Sequence, residues 1–212
     1  MNVRNALEQL EQIHDQLTRS EVYRGFRVPA VVFVGILAFA AAGGQQFIPA
    51  AETATGFVIY WVTVAGVCGF IGTATAVHLY TVREDAFARR RTRRVLSQFL
   101  PSIFAGAAVT IAVARVPEYV VFLPGLWGMI FGLGIIATRP HLPPGIGLVG
   151  LWYTASGAAF LLRSIPKEDP SGWAVGFEFG VGHLLTALVL WRDSEEESDL
   201  WRDSEEESDG GS

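Results

Sequence analysis

Long stretches without a charged residue divide this sequence and limit what it can fold into. Five of them are uncharged throughout: 28–51, 53–82, 95–114, 119–138 and 140–162. A sixth apolar stretch, 173–191, carries only Glu178 and His183. A helix needs about 20 apolar residues to cross a bilayer, so each stretch is long enough to span one. The pattern predicts an all-α, polytopic membrane protein, a bundle of six transmembrane helices at 28–44, 57–80, 96–114, 119–138, 145–163 and 173–191.

The predicted transmembrane domain, 28–191, has a polar segment on each side. In 1–27 the side chains of Leu7, Leu10, Ile13 and Leu17 recur at helical spacing, which predicts a short amphipathic helix followed by an interfacial anchor. Residues 192–212 hold ten acids and two arginines, and the decapeptide 190–199 is repeated as 200–209. Such a composition does not form a core, so we expect 192–212 to be a disordered acidic tail.

Basic residues are distributed unevenly between the two sets of connecting segments. If the N-terminus is cytoplasmic, the segments on that side hold 13 of the 16 basic residues, and the opposite loops hold only Arg115, Arg163 and Lys167. Arginine and lysine concentrate on the cytoplasmic side of membrane proteins. The count therefore predicts a multi-pass protein of the cell membrane with both termini in the cytoplasm.

The densest basic segment is 83–94, between the second and third predicted spans. Its arginines are Arg83, Arg89, Arg90, Arg91, Arg93 and Arg94. The flanking stretches are too apolar for a nucleic-acid-binding domain. We interpret the segment as a cytoplasmic loop that fixes topology and attracts anionic lipid headgroups, at about 1 kcal/mol per residue near the surface. The alternative is that the segment is a docking site for a cytoplasmic protein. The partners considered for the chain are such a protein and further copies of itself in a homo-oligomer.

Glu178 and His183 are the strongest candidates for a functional site, because ionisable groups inside a span are costly and usually face the interior or a cavity. Five residues of helix turn their side chains about 140° apart, so the two do not form a pair on one face. Each needs a partner from another helix. The uncharged candidates are Thr63, Thr73, Thr75, Thr110, Tyr153, Thr154 and Ser156.

Cofactor and enzyme motifs are not found in the sequence. A membrane haem would need two histidines at similar depth, and His78 lies about 13 Å from the depth of His183 by the helical rise. No Cys/His cluster has the spacing of a metal site, and no phosphate-binding loop or nucleophile elbow occurs. We therefore expect no cofactor and no enzymatic activity.

Two function classes remain. The first is a non-enzymatic membrane scaffold, sensor or accessory subunit, favoured by the scarcity of polar groups in the spans. The second is a small oligomeric transporter or channel for protons or ions that uses Glu178 and His183. The transporter class is supported by those two residues and by a weak similarity between 58–66 and 149–157. These two segments run in opposite directions, as in an inverted repeat.

Overall fold

The protein is a bundle of helices, as a computed structural model of the chain shows. The structure describes residues 28–82, 86–166 and 168–209, and for 75–82, 86–92 and 196–209 it describes the backbone alone. The helices are α1 (Val28–Gln45), α2 (Ala54–Val82), α3 (Ala86–Val113), α4 (Leu123–Thr138), α5 (Ile146–Arg163) and α6 (Gly172–Asp209). Within these ranges no strand occurs, so the predicted all-α class is confirmed. The predicted amphipathic helix of 1–27 lies outside the described residues.

Six helical segments are long and apolar enough to cross a membrane, and the fourth includes the 3-10 helices on both sides of α4. These segments are Val28–Gln45, Ala54–Ala74, Arg93–Val113, Pro117–His141, Ile146–Arg163 and Gly172–Glu195. Short 3-10 helices connect three of the pairs, and each has proline in its first turn, where the missing N–H costs no helical hydrogen bond. Gly145 precedes α5 with a φ of 94°, a conformation that favours glycine.

Successive helices run antiparallel, which gives the bundle two ends. Gln45, Trp61, Arg163 and Trp173 lie at one of them, here named the Gln45 end. The opposite end, named the His141 end, holds the C-terminus of α4 and the N-terminus of α5. In the membrane the apolar flanks between the two ends contact lipid.

Helices α4 and α5 pack closely because glycines face each other along the contact. A Cβ atom at Gly125 would lie 2.6 Å from the carbonyl oxygen of Gly157, and one at Gly132 would lie 2.7 Å from that of Gly150. Such distances leave no room for a side chain. Small residues on both helices thus let the two backbones approach closely.

Helices α1 and α6 form the second close pair, through the glycine stripe of α6. Gly172 faces Gln45, Gly176 faces Ala42, and Gly180 faces the ring of Phe39. The stripe holds α6 against α1 on one side, and the opposite side of α6 faces α4 and α5.

Helix α2 is attached mainly near the Gln45 end. Phe57 and Trp61 are buried there, whereas no residue of 62–74 is buried. In the similarity between 58–66 and 149–157, Gly66 of α2 corresponds to Gly157 of α5. A Cβ atom added at Gly66 would have no atom within 4 Å, whereas one added at Gly157 would meet the backbone of α4. The two halves of the chain are therefore not packed alike, and the structure gives the inverted repeat no support.

A hydrogen-bonded group joins α1 to α2 at the Gln45 end. The Trp61 indole N–H donates to Gln45 Oε1 at 2.7 Å, and Gln45 Nε2 donates to the Ala51 carbonyl at 3.1 Å. The Tyr60 hydroxyl donates to the Ala41 carbonyl at 2.6 Å. Because Gln45 is 8% exposed, its amide depends on these partners rather than on solvent.

We expect Trp61→Phe to lower the free energy of unfolding by about 2 kcal/mol. The change removes the indole donor and leaves the Gln45 Oε1 atom buried without a partner, which costs about 1–3 kcal/mol. Denaturant unfolding in detergent measures the loss. Trp191→Phe is the control, because Trp191 is exposed. Equal stability of the two variants would contradict the assigned hydrogen bond.

The basic segment is helical where the structure describes it, which differs from the predicted loop. Helix α3 begins at Ala86, so its first turns carry Arg89, Arg90, Arg91, Arg93 and Arg94. Alanine and arginine have high helix propensity, and the adjoining span extends a helix that is already formed. Arg93 and Arg94 are exposed at the His141 end.

Helix α6 also continues beyond the predicted span, as far as Asp209. We expected 192–212 to be disordered, and for 192–209 that prediction is wrong. Glutamate, leucine and arginine favour helix, and a helix that already crosses the membrane needs no new nucleus to grow. Low hydrophobicity excludes a core for this segment, but it does not exclude a single helix.

Candidate functional site

The site is centred on Glu178, a carboxyl group enclosed between three helices. The side chain is 0% exposed. It lies on the face of α6 that meets α4 and α5, and two glycines make the space it occupies. A Cβ atom at Gly128 would overlap the Glu178 carboxyl group, and one at Gly157 would lie 3.0 Å from its Oε1 atom.

One oxygen of Glu178 has a hydrogen-bond partner, and the other has none among the described residues. Ser156 of α5 donates to Oε1 at 3.0 Å. The same hydroxyl lies 2.8 Å from the Trp152 carbonyl, so its single hydrogen is shared between two acceptors. Oε2 is buried without a partner. Buried polar atoms are nearly always satisfied, so an unpaired oxygen needs an explanation.

An open cleft of about 580 Å³ lies beside the site at the Gln45 end of the bundle. Pro124, Phe160 and Ala174 line it, one from each of the three helices. Along the chain, Pro124 is four residues from Gly128, Phe160 is four from Ser156, and Ala174 is four from Glu178. Four residues are one helical turn, about 6 Å, so on each of the three helices a residue of the cleft wall lies one turn from a residue of the site.

His183 lies one to two turns farther toward the His141 end and has its own partners. Its Nδ1 atom is 2.7 Å from the Phe179 carbonyl and 3.0 Å from the Tyr153 hydroxyl. A carbonyl oxygen can only accept, so Nδ1 carries the proton in this arrangement. Tyr153 is fully buried and occupies space left by Gly182. His183 is therefore held by α5 and by its own helix.

Aromatic and aliphatic layers separate Glu178 from the His141 end. The Phe131 ring lies 4.9 Å from the Tyr153 ring and 5.3 Å from the Phe179 ring, measured between centroids. Ile146 and Val149 are buried in the same cluster as these rings. The carboxyl group is thus close to a cleft on one side and closed off by packed side chains on the other.

The two predicted site residues belong to one region but do not contact each other directly, in agreement with their helical spacing. Each takes its partner from α5, Ser156 for Glu178 and Tyr153 for His183, and both partners were among the expected candidates. Arg93 and Arg94 lie at the His141 end, remote from this site. No group of three potential metal ligands occurs among the described residues.

No family model, curated protein or solved structure matches this chain. The site must therefore be interpreted from its own geometry.

The sequence pattern did not identify Gly128 and Gly157 as parts of the site. Both are conspicuous only as small residues on apolar helices, and this chain has 23 glycines. Their role depends on the rotation of α4 and α5 about their axes, which apolar periodicity leaves open when a helix is hydrophobic on all sides. The one signal in the sequence was Glu178 itself, since a buried carboxyl group requires space on the facing helices.

Proposed function

We propose that the protein is a small membrane transport protein, coupled to protons or small cations, in which Glu178 binds the coupled ion. The observation that carries the proposal is the fully buried carboxyl group with one oxygen left without a partner among the described residues. A cation bound at that oxygen supplies the missing interaction, and a proton bound there removes the buried negative charge. Carboxyl groups inside a membrane domain typically mark ion or proton pathways.

The position of the cleft supports access from one side. On α4, α5 and α6, Pro124, Phe160 and Ala174 of its wall lie about one helical turn from Gly128, Ser156 and Glu178 respectively. The uneven distribution of arginine supports an orientation in which the Gln45 end faces outward and both termini are cytoplasmic. In that orientation the cleft opens to the outside, and the arginines at the start of α3 meet the anionic headgroups of the inner leaflet.

A second candidate is a non-enzymatic sensor or accessory subunit. The closed packing between Glu178 and the His141 end favours it, because an ion could bind from the cleft and alter helix packing without crossing. Both candidates assign ion binding to Glu178. They differ in whether the ion leaves on the other side.

Ion flux into liposomes separates the candidates. The purified protein is reconstituted with a pH-sensitive dye inside the vesicles, and proton movement is followed after sodium or potassium gradients are imposed. We expect saturable flux for the parent and a loss of roughly tenfold or more, about 1.4 kcal/mol, for Glu178→Gln, since an amide cannot carry the ion. The control is Glu118→Gln, which removes one exposed carboxylate at the same end.

Two results would contradict the proposal. Equal flux in the parent and in Glu178→Gln would remove Glu178 from the pathway. An absence of flux in the parent, together with a change in helix packing on ion addition, would favour the sensor.

A further inference from the structure

The cleft at the Gln45 end has a chemical character of its own. It is bounded by the N-terminal part of α4, the end of α5, the start of α6 and the connection between α5 and α6. A volume of about 580 Å³ is in the usual range for sites that bind small molecules. Inorganic ions do not need a space of this size.

Two carboxylates and one cation are the charged groups among the described residues of the cleft wall. Glu168 and Asp169 face one cation, Arg163, and within the described residues none of the three forms an ion pair. Arg163 lies in the last turn of α5, where a cation is stabilised by the helix dipole without any ligand. Lys167 lies outside the described residues. Among the described residues of the wall, carboxylates therefore outnumber cations, and Ala174 of the wall precedes Glu178 by one turn of α6.

Aromatic rings make up much of the remaining wall. Trp173 is 55% exposed and Phe177 is 47% exposed, and Phe160 lies opposite on α5. The faces of tryptophan and phenylalanine attract cations within about 6 Å. Carboxylates beside aromatic rings are the combination that recognises ammonium groups carrying apolar substituents.

We propose that this cleft binds a small organic cation, an amine or quaternary ammonium ion with an apolar body, as the substrate that enters toward Glu178. Binding in the cleft does not require Glu178. Its link to transport rests on the proposed function, because only that assigns Glu178 an ion-carrying role. The buried oxygen of Glu178, unpartnered within the described part of the chain, gives the cation a deeper carboxyl partner, one turn of α6 beyond Ala174.

Calorimetric titration of the full-length protein in nanodiscs tests the binding step. The probe is benzyltrimethylammonium, and the comparator is benzyl alcohol, which has the ring but no charge. We expect saturable binding of the cation, weakened about tenfold by Glu168→Gln combined with Asp169→Asn, since two attracting charges are lost. The control combines Glu52→Gln with Glu118→Gln, which removes the same charge from exposed sites outside the cleft and leaves the affinity within about twofold.

The outcomes separate the cleft from the proposed function. Equal binding of benzyl alcohol, or equal weakening by both double variants, would overturn the organic-cation site. If flux depends on Glu178 but the probe does not bind, the transport proposal stands and organic cations are rejected as its substrates. Probe binding that survives in Glu178→Gln, with no proton flux in the parent, would keep the cleft site and overturn transport.

Discussion

Gly128→Ala is expected to lower the free energy of unfolding by about 3 kcal/mol, the upper part of the range for overpacked cores. The added methyl group would occupy the position of the Glu178 carboxyl group. That group has little room to move, because Gly157 and Ser156 hold it from the α5 side. Helix α6 must therefore shift, or the carboxyl group must leave its site.

The control for this prediction is Gly66→Ala on α2. No atom lies within 4 Å of a Cβ at Gly66, so the same chemical change meets nothing there. Replacing a helical glycine with alanine at an open position stabilises by up to about 1 kcal/mol. Unfolding in detergent should therefore separate the two variants by several kcal/mol. Equal behaviour would mean that Glu178 is not enclosed by α4.

A second substitution shows whether the loss comes from Glu178 itself. Combining Gly128→Ala with Glu178→Ala removes the group that the methyl overlaps and lets the methyl fill part of the space. We expect the double variant to be more stable than the sum of the single effects by at least about 1 kcal/mol, since residues in contact couple by about 0.5–3 kcal/mol. If the effects of the two single substitutions on stability simply add, the loss caused by Gly128→Ala arises elsewhere on α4.

The membrane explains why the spans could be predicted so closely. Hydrocarbon excludes charge and requires about 20 apolar residues, so the first predicted span, 28–44, differs from Val28–Gln45 by one residue. Charged segments are less constrained. Both the basic segment after α2 and the acidic segment after Trp191 are helical where described, because a span can extend into water as a helix of favourable residues.

The candidate site could be predicted only in part, because its geometry depends on how helices are rotated against each other. The cost of burying Glu178 and His183 identified them, and their spacing showed that they do not pair. Ser156 and Tyr153 were two of seven uncharged candidates, and hydropathy could not rank them. The cleft requires the ends of three helices to meet, which no local pattern encodes.

We also expect Glu178→Met to make the protein more stable and to abolish ion binding. Methionine is unbranched, close to glutamate in size and able to fill irregular space. The substitution removes a buried oxygen that has no partner among the described residues, a penalty of about 1–3 kcal/mol. Ser156 keeps the Trp152 carbonyl as an acceptor at 2.8 Å, so no new unpaired group is created.

We expect a gain of about 2 kcal/mol in the free energy of unfolding, measured in the same detergent as the parent. Glu118→Met is the control, because that side chain is exposed and its replacement relieves no burial. If Glu178 served only to tie α6 to α5 through Ser156, its loss would destabilise the bundle by about 1 kcal/mol instead. The sign of the change in the free energy of unfolding therefore distinguishes a structural carboxyl group from one retained at a cost in stability. Residues retained at such a cost are typical of functional sites.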